Sequence, residues 1–202
     1  MGRILVGVLI GVLLLPIAVL CWFCFGSVPV AVADPPIQHE RQIAAIPLHA
    51  RIHREQIKKV PILVDEDNLV AGAHVYREQC ATCHGFHGKP AVIGAHIFPA
   101  APPLWEKHGN SDIIGVSDDA PGETYWKVLN GIRLTGMPAY KGVLNDTEIW
   151  QVSLLLANAD KPLPPAAIVL LRGPEPVAGV STPTVAAAVA ATASEKDKSK
   201  KQ

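Results

Sequence analysis

Apolar positions along this chain follow three patterns. From Ile4 to Phe25 they run on with no charged side chain among 22 residues. As a helix that run spans about 33 Å, enough for the hydrocarbon core of a bilayer. Between residues 66 and 160 the apolar positions recur at helical spacing in three stretches. Beyond 160 they are mostly Ala, Val and Pro, with no aromatic residue and no sustained period.

The middle pattern predicts three helices. The first runs from Asn68 to Ala81, with acidic residues at its start, where the helix dipole favours them. Leu69, Ala73, Tyr76 and Cys80 share one of its faces. The second covers Glu123 to Asn130, with Gly122 before it and Gly131 placed to end it. The third begins at Asn145, which makes a capping box with Glu148. Ile149, Trp150, Val152, Leu154, Leu155 and Leu156 supply its apolar surface. The stretch from Gly85 to Gly122 shows no strand alternation. The expected fold is therefore a small all-α domain with long loops, and such loops need a bound group to pack against.

The chain divides into an N-terminal anchor (1–33, span 4–25), a spacer (34–65), the helical domain (66–160) and a disordered tail (161–202) with a basic end. Pro47 is expected to break the spacer into short helical pieces. A short helix around Ala166–Leu171 fits the start of the tail. Arg3 precedes the span, and the residues just after it are uncharged. The positive-inside rule puts the N-terminus in the cytoplasm and the rest in the periplasm. An uncleaved anchor is expected. The alternative is cleavage after Ala31-Val32-Ala33, which would release a soluble periplasmic protein starting at Asp34. Cys21 and Cys24 read as small apolar residues of the membrane helix.

Net charge is zero overall, which argues against a nucleic-acid binder. The domain alone carries −5, and its neighbours carry the balancing positive charge. Asp118, Asp119 and Glu123 form its most local acidic cluster.

Cys80-Ala81-Thr82-Cys83-His84 is the C-x-x-C-H motif of covalent haem attachment. Two thiols three positions apart on a helix end can reach both vinyl groups of a porphyrin edge. The next residue, His84, is then held where its imidazole meets the iron. A zinc half-site would need further partners, and a redox dithiol would need a βαβ context. An electron-transfer haem takes a second axial ligand. The chain has two methionines and Met1 opens the anchor, so Met137 is the candidate; Gly136 and Pro138 flank it. His87, His96 and His108 are its rivals.

Three segments together resemble a mono-haem class I cytochrome c. They are Gly72-x-x-x-Tyr76-x-x-x-Cys80-x-x-Cys83-His84-Gly85, then Asn130-Gly131-Ile132-Arg133-x-Thr135-Gly136-Met137-Pro138-Ala139-Tyr140, then Glu148-Ile149-Trp150. They cover about half of the chain. The resemblance implies one covalent haem c and a close crossing of Gly72 and Tyr76 with Trp150 and Leu154. It also implies a proline carbonyl, Pro102 or Pro103, that accepts the His84 Nδ1–H. Trp126, Arg133 and Tyr140 become candidates for contact with the haem propionates.

The function expected is one-electron transfer on the outer side of the cytoplasmic membrane, with redox proteins, membrane respiratory complexes above all, as partners. Nothing in the residues suggests a small-molecule substrate. The alternative is a haem-bearing subunit of a dehydrogenase or oxidase. A sensor in which Met137 leaves the iron ranks third.

Overall fold

The computed structural model describes residues 1–107, 109 and 111–173. Among them there are helices and isolated bridges but no strand. The first helix, α1 (Gly2–Phe25), is long and apolar enough to cross a membrane. None of its residues is buried by the rest of the protein, and Pro16 does not interrupt it.

The next helix, α2 (Glu40–Glu55), runs unbroken through Pro47, where the sequence predicts an interruption. An internal proline removes one backbone bond and costs about 3 kcal/mol. Packing at the far end of α2 offsets that loss. Ile52 is only 2 % exposed, and Glu55 is bonded to the helical body. The chain beyond α2 stays on the body: Val60 and Ile62 pack against its core.

Helix α3 (Glu66–Val75) starts two residues earlier than its apolar pattern suggests. The Asp65 carboxylate accepts the Asn68 N–H at 2.9 Å and sets the boundary. The helix continues through one π turn, Tyr76–Cys80, into the short α4 (Ala81–His84). Helix α5 (Val92–Ala95) interrupts the long loop that follows. Helix α6 (Pro121–Asn130) includes Gly122, which the sequence reading left outside it, and ends at Gly131. Helix α7 (Asp146–Ala157) has the expected capping box. Asn145 Oδ1 accepts the Glu148 N–H at 3.1 Å, and Glu148 Oε2 accepts the Asn145 N–H at 2.8 Å.

Helices α3 and α7 cross closely at Gly72. A Cβ there would lie 2.3 Å from the Gln151 carbonyl oxygen, so only glycine fits without backbone movement. The atoms nearest to that position belong to Gln151 and Leu155. The Trp150 ring stacks on Tyr125 of α6, with centroids 4.2 Å apart. Tyr76, Ile149, Trp150, Val152 and Leu155 form the centre of the core.

Helix α8 (Pro165–Leu171) buries Ala167 and Leu171 against this core. Its Leu171 carbonyl accepts the His87 N–H at 2.9 Å. Residues 161–173 therefore belong to the packed body, in contrast to the tail expected from composition. The expectation of disorder for 174–202 lies outside the described residues.

Candidate functional site

The π turn sets up the site. Ala81 N–H bonds back to the Tyr76 carbonyl, five residues earlier, which shifts the helical register just before the cysteine motif. Two tyrosines hold this stretch. Tyr76 donates its buried hydroxyl to the Gly85 carbonyl at 2.7 Å, spanning the motif from end to end. Tyr76 also meets Trp105 edge-on, with ring centroids 5.4 Å apart. From the other side, Tyr140 donates its hydroxyl to the Gln79 carbonyl at 2.7 Å.

Cys80 and Cys83 are free thiols. Burial, with a smaller contribution from Cys83, pushes the Cys80 thiol up to about 12. It is therefore neutral at physiological pH. Among the described residues no group of three or more His, Cys, Asp or Glu side chains is arranged to hold a metal ion. The zinc alternative thus lacks partners there.

His84 closes the motif. Its Nδ1 lies 2.8 Å from the Pro102 carbonyl oxygen. Pro102 is thus the proline that contacts the ring, of the two that the sequence offers. Because a carbonyl can only accept, the contact puts the proton on Nδ1 and leaves the Nε2 lone pair free. Burial lowers the His84 pKa, and the bond to Pro102 partly opposes this. A neutral imidazole with a fixed tautomer, in one helical turn with the Cys80 and Cys83 side chains, is a donor set that fits a covalently held haem.

Glycine shapes the loop beyond the motif. Gly94 presses on the Cys83 carbonyl, and a Cβ at 94 would come within 2.0 Å of that oxygen. The same loop sends Ile97 against Gly136, the residue before Met137. Met137 is half-buried and packs against the core. Thr135 organises its loop: Oγ1 donates to the Ile132 carbonyl at 2.7 Å and accepts the Met137 N–H at 3.0 Å. The rival ligands His87 and His96 are exposed, and His108 lies outside the described residues.

The three residues expected near propionates fare differently. Trp126 donates its indole N–H to Glu55 at 2.9 Å, so that hydrogen is not available to a propionate. The single hydroxyl hydrogen of Tyr140 goes to the Gln79 carbonyl. Arg133 is exposed. Sequence reasoning missed Tyr76, Gln79 and Thr135 as organisers of the site. Their signal was hydrogen-bonding side chains and backbone at a motif's edge, which periodicity does not detect.

The acidic cluster also changes character. Lys127 binds Asp119 at 2.6 Å and Glu123 at 2.8 Å. Burial lowers the Lys127 pKa, but these two carboxylates outweigh it and the net shift is upward. Only Asp118 of the three remains exposed and outside this ion-paired group.

Residues 67–154 match the family described as cytochrome c oxidase, cbb3-type, subunit III. A thiosulfate dehydrogenase of Stutzerimonas stutzeri (strain A1501) is 29 % identical over 103 residues, which is 50 % of this chain. The match covers 30 % of that relative's length.

Proposed function

Since the helical body at residues 67–154 is a c-type cytochrome domain, we propose that the chain carries single electrons between redox proteins at the outer face of the cytoplasmic membrane. In this reading one haem c is bound through Cys80 and Cys83, with His84 and Met137 as axial ligands. The haem, when bound, supplies an iron centre that gains and loses one electron. The Pro102 carbonyl fixes the His84 tautomer and makes Nε2 the stronger donor. Thr135 holds the Met137 backbone, and a neutral thioether there favours the reduced iron. Held by His84 and Met137, the iron would exchange electrons and would not take up a substrate. Helix α1 is the anchor in this reading, which keeps the domain close to respiratory complexes in the same membrane.

The observation that carries this reading is the His84–Pro102 contact at the end of the helical turn that holds Cys80 and Cys83. Its test is Met137→Ala in the holoprotein. The thioether-to-iron charge-transfer band should vanish and the reduction potential should fall. A band that persists would remove Met137 from the assignment.

A second reading is that the chain is a fixed haem subunit of an oxidoreductase. The similarity to a thiosulfate dehydrogenase favours it. So does the seating of α2 on the body, which shortens any free tether. Purification in mild detergent separates the two, because a fixed subunit brings a stoichiometric partner and a mobile carrier does not.

A further inference from the structure

Tyr140 joins two segments that are far apart in sequence. Its hydroxyl reaches the Gln79 carbonyl, 61 residues back, in the π turn directly before Cys80. Its backbone is fixed as well. The Tyr140 and Lys141 N–H groups bond to the Val128 and Leu129 carbonyls of α6, each at 3.1 Å. The Tyr140 carbonyl accepts the Val143 and Leu144 N–H groups. Tyr140 therefore closes the Met137 loop at its far end, as Thr135 organises it at the near end. Burial raises the Tyr140 pKa, in keeping with this placement.

We propose that Tyr140 is a positioning residue that clamps the Met137 loop to the thiol-bearing helix and so resists displacement of Met137 from the iron. The proposal rests on the reading above that Met137 is the axial ligand. The physical argument is one of loop freedom. Seven residues separate Asn130 from Pro138, and Leu134 within them is 87 % exposed at φ 62, a conformation that a branched side chain rarely adopts. Little of this loop is held by packing at its tip. Its stance against the haem side of the domain then depends on its ends. Among the described residues, the Tyr140 hydroxyl is the group at those ends that bonds to the stretch carrying the cysteines.

The test uses full-length holoprotein in detergent and exogenous imidazole, which competes with the thioether for ferric iron. Tyr140→Phe keeps the ring and removes the bond. It should bind imidazole about fivefold more tightly than the parent, the equivalent of one ordinary hydrogen bond. Tyr125→Phe is the control. It removes a tyrosine hydroxyl bond to Asp146 that joins α6 to α7, away from the Met137 loop. It should lower thermal stability and leave imidazole affinity unchanged. Para-aminophenylalanine at 140 keeps a donor and should restore the parental affinity. Equal imidazole affinity in parent and Tyr140→Phe, or an equal gain in Tyr125→Phe, would overturn the clamp. Absence of the charge-transfer band in the parent itself would instead overturn the Met137 assignment, and the clamp with it.

Discussion

The Glu55 carboxylate accepts the indole N–H of Trp126 at 2.9 Å, across 71 residues of sequence. Arg51 completes the contact. It bonds Glu55 at 2.9 Å and lies 5.8 Å from the centre of the Trp126 ring. This joint attaches the end of α2 to α6. Helix α1 and the helical body are thus linked by a shorter free segment than the 34–65 spacer expected from sequence. Between α1 and α2 lie residues 26–39, and even these include a turn in which Asp34 accepts the Val30 and Ala31 N–H groups.

Gly122→Ala tests that seat directly. In an ordinary helix interior this change stabilises by up to about 1 kcal/mol. Here a Cβ would lie 1.9 Å from the Ile57 carbonyl oxygen, which is backbone and cannot swing aside. The expected result is a loss of about 1–3 kcal/mol, typical of overpacking. In a domain of this size that lowers the melting temperature by about 4–8 °C per kcal/mol. A higher melting temperature would show that Ile57 does not lie on α6 in solution.

The same joint is expected to respond to acid. The Trp126 hydrogen bond, followed by that from Arg51, lowers the Glu55 pKa below its ordinary 4.5. A carboxyl whose pKa is lowered by folding adds stability above its unfolded pKa. It loses that contribution as pH falls through the folded value. Amide hydrogen exchange in α2 should therefore accelerate relative to α7 below about pH 4.5. Glu55→Gln keeps an acceptor for Trp126 but cannot titrate, and should remove this difference. Exchange that accelerates equally in both proteins would assign the effect to other groups.

Some of this architecture is legible in the sequence for identifiable reasons. The C-x-x-C-H motif is local, so its spacing alone names the chemistry. The Asn145–Glu148 capping box is equally local, and both of its bonds form. Relationships that depend on tertiary choice were not legible. Pro47 reads as a helix breaker because its cost is local, whereas Ile52 and Glu55 offset it through contacts with a distant segment. The stacking of Trp150 on Tyr125 joins α7 to α6 through a pairing that helical periodicity does not encode. Pro102 and Pro103 are indistinguishable by sequence, and only the fold brings one of them to His84.

Covalent attachment gives a prediction independent of the axial ligands. Haem should remain with the polypeptide through denaturing electrophoresis and show peroxidase activity on the gel. The double variant Cys80→Ser and Cys83→Ser should lose that signal completely. Each single variant should retain part of it, since one thioether suffices to hold the group. Haem retained by the double variant would mean that the motif does not attach it.

The last prediction concerns encounters with redox partners. The domain carries −5, which alone suggests attraction to a basic docking face. The structure removes the most local basis for that idea. Asp119 and Glu123 share Lys127, and their side chains are only 23 % and 25 % exposed. Lys127 cancels one of the two charges, and the field of the remaining one is screened beyond about 10 Å at 0.1 M salt. Oxidation of the reduced holoprotein by an anionic complex, ferricyanide, and by a cationic one, cobalt(III) tris-phenanthroline, reads the charge near the exposed haem edge. Asp119→Asn takes this group from −1 to neutral, and if the group lies more than about 10 Å from the haem edge the salt dependence of neither rate should change measurably. Asp118→Asn removes an exposed charge and should produce the larger effect of the two. If Asp119→Asn instead shifted the two rates strongly in opposite directions, the Lys127 group would face the haem edge, and electrostatic docking through this cluster would stand.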